Sequence, residues 1–364
     1  MQTAGRQSRE NHRERARLPH FRTLLRVSAL LAVAATLQSC MTAAGRPAFW
    51  EAAASPMVWP DPPDPPRIEY LGAMSPGASA KGAGLGESLG RLITGGESFA
   101  SVKPAAVAGN LAGMIAIADS SIPTVYFASP DAQKSASLNE KNALPLRSPV
   151  GVAVSEAGEV FVSDSGAGRI FVFGTDRKLK RTLGESLLKR PVGLALNKAQ
   201  DTLYVVDSEA SQVVILDLQG GRLGSFGGRG VKPGEFNYPT YIATMPNGDL
   251  CVTDSLNFRI QLFDARGAFL SSFGREGDGA GCFSRPKGLG VDTGGRIYVV
   301  DAAFEAVQIF ERDGTLLLAF GSTGTGPGQF VLPCGMFVDG QNKIYVADSF
   351  NKRIQVFRLM GSQS

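Results

Sequence analysis

The sequence predicts an all-β fold, a six-bladed β-propeller whose ring is closed by an N-terminal strand. Three observations predict it. One phrase recurs six times behind Pro104, Pro149, Pro191, Pro239, Pro286 and Pro333, at spacings of 45, 42, 48, 47 and 47 residues. Each copy holds short apolar runs separated by turns, and self-similarity at such a period marks a propeller or a solenoid. The last copy stops after its third run, at residues 353–357, while residues 67–72 read like a fourth run with no repeat of their own. Pairing the two ends supplies the missing strand and hides an open sheet edge.

The elements follow in chain order. Residues 1–39 carry seven Arg against Glu10 and Glu14 and end in a short apolar run, the layout of a secretory signal. That run, residues 27–36, is shorter than the roughly 20 residues a membrane span needs. Leu37-Gln38-Ser39-Cys40 resembles the bacterial lipobox, which implies that Cys40 is lipidated and becomes the first residue after cleavage. Met41 follows it rather than Asp, which in Gram-negative sorting implies the outer membrane. Acyl chains there anchor through buried methylenes, each contributing about 0.8 kcal/mol. Residues 40–66 are rich in Ala and Pro, a composition that favours a stiff polyproline tether. The propeller is expected over 67–360. It comprises the closing strand at 67–72, a Gly- and Ala-rich excursion at 73–103 with a short helix around 87–93, and the repeats at 104–357.

Charge excludes one class of partner. Beyond the leader the chain carries 30 basic and 31 acidic residues, without the basic excess of a nucleic-acid reader.

Within the repeats, the second strand ends in Asp119, Asp164, Asp207, Asp254, Asp301 and Asp348. Ser follows each of them except Asp301, which precedes Ala302. Arg169, Arg259 and Arg353 stand five residues after Asp164, Asp254 and Asp348. A carboxylate and a guanidinium across a tight turn suit a bidentate pair. Ser satisfies backbone groups in such a turn. A group present in nearly every repeat serves what every repeat needs, so these carboxylates read as structural rather than catalytic.

Two repeats complete the form Asp-Ser-x-Asn-x-Arg-Ile-Gln, at 254–261 and 348–355. This pattern resembles the NHL-repeat family of six-bladed β-propellers over about residues 104–357, with blades three to six matching well. Phe236-Asn-Tyr-Pro-Thr240, together with the motif after it, is similar to a group of bacterial NHL lipoproteins. The resemblance implies a fold far more than an activity. Related lyases need histidine, and His12 and His20 both lie in the leader, so that chemistry has no counterpart in the mature chain. Gluconolactonase-like propellers hold a divalent cation through carboxylates and Asn near the channel. That implies an alternative reading, a carboxylate-metal hydrolase or lactonase.

Three cysteines remain after Cys40. Cys251 stands where other blades have Tyr and reads as a small buried side chain. Cys282 and Cys334 enter blades five and six on one face and are candidates for a disulfide in an export compartment. No cysteine pair has metal-ligand spacing, and no cofactor is expected.

One face of the ring carries the loops between second and third strands and the loops entering each blade. It offers Leu256, Phe258, Phe304, Phe350 and Lys352, and at the channel entrance Thr240, Tyr241, Lys287 and Cys334. Tyr241 and Phe337 are bulkier than the Gly and Ala expected at inner positions. Two readings stand. The large side chains plug the channel and pack locally, or they form an aromatic docking patch for a protein or ligand. The expected function is a lipid-anchored, non-enzymatic scaffold for an envelope or extracellular protein complex. A small-ligand receptor at the mouth near Tyr241 and Lys287 is a further alternative.

Overall fold

The computed structural model describes residues 49–76, 102–129, 132–138, 145–197 and 199–361. The leader, Cys40 and the helix expected around 87–93 lie outside them. Among the described residues, five four-stranded antiparallel sheets and one six-stranded antiparallel sheet form six blades. Their first strands are Pro104–Gly109, Pro149–Val154, Pro191–Leu196, Pro239–Thr244, Pro286–Val291 and Pro333–Val338. Each first strand touches those of both neighbouring blades, and that of blade six returns to blade one. The second strands, such as Val160–Asp164 and Ile297–Asp301, are buried along their whole length. Outer strands such as Phe269–Phe273 face solvent. This gradient follows from the ring, in which the inner strands of each sheet are covered by neighbours on both faces.

The Pro-x-Gly that opens four of the repeats is a close-approach device. A Cβ on Gly151, Gly193, Gly288 or Gly335 would lie within 2.7 Å of a carbonyl oxygen on the next first strand, at Val192, Thr240, Cys334 or Ala105. No larger side chain fits there without separating the blades. Serine hydroxyls stitch the same seams. Ser255 donates to the Pro286 carbonyl at 2.7 Å, and Ser349 donates to the Pro104 carbonyl at 2.5 Å, joining blade six to blade one. These two serines therefore reach the next blade rather than their own turn.

Blade six is completed from the front of the chain. Strand Ile68–Met74 pairs antiparallel with Arg353–Leu359, with Ile68 opposite Leu359 and Met74 opposite Ile354. Ile68 and Met74 are fully buried and Tyr70 nearly so. The strand runs two residues past the expected end at 72, so Ala73 and Met74 belong to the sheet and not to the excursion.

The tether expected over 40–66 needs correction from residue 49 onward. Strands Trp50–Ala52 and Val58–Trp59 both pair with the outer edge of Ile68–Met74, as an interrupted fifth strand. Aromatic anchors override the Ala- and Pro-rich composition. Phe49 is buried with Met74, Tyr345 and Ile354. The Trp59 ring lies 5.8 Å from both Phe320 and Phe357. It packs so tightly on Gly328 that a Cβ there would sit 2.7 Å from the indole. The proline run at 60–66 is the loop of this hairpin, not a spacer.

Candidate functional site

The six repeat carboxylates are fully buried, and each holds the loop that enters its own blade. Asp119 accepts from the Lys103 amide, Asp164 from Arg147 and Ser148, and Asp207 from Lys189 and Arg190. Asp254 accepts from Asn237, Asp301 from Ser284 and Arg285, and Asp348 from Val331. The full motif adds a cage of side chains. Asp254 Oδ2 accepts from Asn257 Nδ2 at 2.8 Å, Arg259 Nε at 2.8 Å and Gln261 Nε2 at 3.1 Å. Asp348 Oδ2 accepts from Asn351, Arg353 and Gln355, each at 2.9 Å. Burial raises the Asp254 carboxyl pKa, while the Asn237 amide, Asn257 and Arg259 draw it back down.

Two details differ from the sequence expectation. The guanidinium meets the carboxylate through Nε rather than as a bidentate fork. Its NH2 group instead donates to loop carbonyls, those of Lys232 and Glu235 for Arg259 and of Gly326 and Gln329 for Arg353. In blade two the expected Asp164–Arg169 pair does not form. Arg169 pairs with Glu185 at 2.8 Å, and Asp164 is satisfied by backbone amides, including Gly166 and Ala167. That blade lacks the Asn and Gln of the full motif, so nothing draws the guanidinium inward.

Cys251, Cys282 and Cys334 are free thiols. Cys282 is buried against the glycines of its own loop, with its Sγ 3.1 Å from where a Gly277 Cβ would lie. Cys334 Sγ faces the Leu332 carbonyl at 3.8 Å. The candidate Cys282–Cys334 disulfide is therefore not formed, because each thiol turns into its own loop. Burial pushes the Cys251 thiol up to about 12, consistent with an inert core side chain.

At the channel, Tyr241 behaves as the first of the two readings has it, as a plug. Tyr241 stands at the position that holds Gly in four other repeats, and its side chain crosses the ring. Its hydroxyl donates to the Ala105 carbonyl of the opposite blade at 2.7 Å. Burial holds the phenol well above its ordinary pKa. Tyr241 thus spans the expected mouth at Thr240, Tyr241, Lys287 and Cys334, on the face of the loops between second and third strands, here the upper face. Thr240 is itself buried and hydrogen-bonded to Ser255 at 2.7 Å. Below Tyr241 lies a cavity of ≈ 280 Å³ lined by the first strands of all six blades. Its lining continues to Asn110, Leu111, Glu156, Gln200 and Gly340, on turns between first and second strands. The cavity belongs to the lower face, opposite the entrance expected from sequence. Phe337 also borders it, with its ring 5.9 Å from that of Tyr345.

The other residues proposed for the upper face divide. Leu256 and Phe350 are 54% and 52% exposed, and Lys352 is exposed as well. Phe258, Phe304 and Lys287 are half-buried. The Lys103 ammonium sits 4.9 Å from the Phe350 ring centroid, within cation–π range. Asp292 and Asp339, which follow first strands, are committed to their own turns. Asp292 accepts from Arg296 Nε at 2.7 Å and Tyr298 at 2.9 Å, and Asp339 from the Gln341 and Lys343 amides. Among the described residues no group of three His, Cys, Asp or Glu side chains is placed to hold a metal ion.

Comparison with known proteins agrees with this geometry. A family model for the NHL repeat matches residues 146–173 and 236–263, the first three strands of blades two and four. A second, described as DUF5128, 6-bladed beta-propeller, matches residues 289–363. The chain is similar to a gluconolactonase from Xanthomonas campestris, at 16% identity and TM-score 0.57, covering 85% of this chain and 99% of that one. It is similar to a streptogramin B lyase, at 12% identity and TM-score 0.55, covering 72% and 95%. It also resembles a chain of a nidogen/laminin complex, at 19% identity and TM-score 0.51, covering 60% and 80%. At these identities the likeness is one of fold. The class is a six-bladed β-propeller. Within that class, the chain carries NHL repeats.

Proposed function

We propose that this protein is a lipid-anchored, extracytoplasmic NHL propeller that binds a protein partner and scaffolds an envelope complex. The observation that carries this reading is how the ring spends its polar groups. All six repeat carboxylates hold loops, and the upper mouth is filled by Tyr241. What remains on the upper face is a surface of loop side chains, with Leu256 and Phe350 more than half exposed. Large apolar side chains displayed on rigid loops suit protein recognition. The same fold occurs in a gluconolactonase, a lyase and a nidogen/laminin complex, so fold alone does not choose among these. The Leu37–Cys40 motif supports the anchor, and the neutral mature chain supports a protein partner over a nucleic acid.

The test is affinity capture from detergent-solubilised membranes with the wild type and with Leu256→Asp/Phe350→Asp. Both positions are exposed, so the variant should keep the wild-type melting temperature. A partner held in near-equal amount by the wild type and lost by the variant is the expected result. A partner retained by the variant, or none with the wild type, contradicts the reading.

A further inference from the structure

Charge is spread unevenly along the axis of the ring. Within two residues before and one residue after the six leading prolines stand Lys103, Arg147, Lys189, Arg190, Arg285 and Lys287, and no acidic residue. First strands line the channel, so the segments that enter them surround its upper end. Five of the six basic residues are exposed, and Lys287 is half-buried. Among the described residues none of them makes an ion pair. The turns between first and second strands, at the other end of the channel, carry the opposite sign in Glu156, Asp201, Asp292 and Asp339. A nearly neutral mature chain therefore bears a basic collar at one end.

The repeat carboxylates hold this collar in place. The main-chain amides of Lys103, Arg147, Lys189, Arg190 and Arg285 each donate to the buried Asp of their own blade, at 2.6 to 3.0 Å. The backbones are pinned while the charged ends stay open to a partner. Two aromatic rings stand among them. Lys103 Nζ lies 4.9 Å from the Phe350 ring centroid, and the Arg190 guanidinium lies 5.7 Å from that of Tyr238. Both are within cation–π range. Acidic residues on the neighbouring loops between second and third strands are two, Glu209 and Glu305, and Glu305 accepts from the Leu332 amide at 3.2 Å. The longer loops outside the collar mix both signs, as in Arg275-Glu276.

Given the protein-partner reading above, on which this step rests, we infer that the collar docks an acidic segment of that partner. Asp or Glu side chains face the Lys and Arg, and apolar side chains lie against Leu256 and Phe350. Pinned main chains fix where the charges stand, which suits a polypeptide whose carboxylates recur at set positions. Fluid anionic headgroups require only net charge. A single-stranded nucleic acid needs aromatic faces for its bases, and the two rings here already have cations over them. Complementary charge of this kind orients docking and sets its specificity.

The probe is a fluorescein-labelled peptide of Asp, Glu and Phe, titrated with the full chain and followed by anisotropy. Saturable binding is expected, weakened at least about tenfold when NaCl rises from about 50 to about 500 mM, because charges at the surface are screened. Lys103→Glu/Arg190→Glu/Arg285→Glu should weaken it at least about tenfold. Lys178→Glu/Arg266→Glu, exposed on turns between third and fourth strands at the opposite end, should leave it unchanged. The three collar positions serve the buried Asp through main-chain amides, so the collar variant should melt as the wild type does, and the salt series needs no variant. No saturable peptide binding, an unaffected collar variant, or tighter binding of oligothymidylate or of phosphatidylglycerol vesicles overturns the acidic-segment assignment. In the membrane capture, a partner kept by the collar variant but lost by Leu256→Asp/Phe350→Asp contradicts the acidic segment alone. Peptide binding with no captured partner contradicts the scaffold alone.

Discussion

A chain that begins at Ser75 is expected to lose the cooperative unfolding transition, or to melt at least about 10 °C lower than the wild type. The reason is the burial of Ile68, Tyr70 and Met74, which are 0%, 5% and 0% exposed in blade six. At about 1.5–3 kcal/mol for each buried side chain, their removal costs about 5 to 9 kcal/mol. A whole domain has only about 5–15 kcal/mol to lose. The deletion also bares the third strand, Arg353–Leu359, as a sheet edge, so aggregation should accompany it. A chain that begins at Arg67 keeps the closing strand and loses Phe49 and Trp59, and it should retain a cooperative transition. Differential scanning calorimetry of the two truncations separates these cases. Equal melting temperatures for both would show that residues 68–74 contribute nothing to the ring.

The second large effect is Asp348→Asn. Asp348 is fully buried and receives Asn351, Arg353 and Gln355 on one oxygen and the Val331 amide on the other. An amide offers one acceptor oxygen and no charge, so the Arg353 guanidinium is left without its counter-ion. Breaking a buried pair from one side costs about 3–5 kcal/mol. Asp207→Asn is the internal comparison. That carboxylate accepts neutral donors, from Lys189, Arg190 and Ala210 main-chain amides, and should cost about 1–3 kcal/mol. Urea denaturation of both variants measures the difference. Equal losses would mean that the guanidinium adds nothing to the cage.

Much of the fold was legible because it repeats. The spacing of the leading prolines, the six Asp and the stray strand at 67–72 are local patterns, and a ring uses each of them six times or once in a place that symmetry dictates. The parts that were not legible depend on single side chains. That Tyr241 is too bulky for an inner position was legible, but its bond to Ala105, 136 residues away, was not, because no periodicity records which way such a ring turns. That one contact moves the open cavity to the other face. Composition hid the strands at 50–52 and 58–59, because four aromatic or sulfur side chains (Phe49, Trp50, Met57 and Trp59) outweigh the alanines and prolines around them. The Asp164–Arg169 pair failed for a reason that sequence did contain. Asn257 with Gln261, and Asn351 with Gln355, accompany the arginines that turn inward, and blade two has neither. The Asn and Gln, rather than the Arg alone, mark a caged carboxylate.

Closure of the wheel by its own front strand is tested most directly by a short cross-link between residues 69 and 358. Glu69 and Arg358 are register partners on adjacent strands, and Arg358 Nε lies 3.2 Å from the Glu69 carboxylate. In Glu69→Cys/Arg358→Cys, mild oxidation followed by peptide mapping should recover one intramolecular disulfide joining the two positions in most molecules. Two free thiols at 69 and 358 in folded protein, or linkage only between separate chains, would contradict a ring latched by residues 68–74.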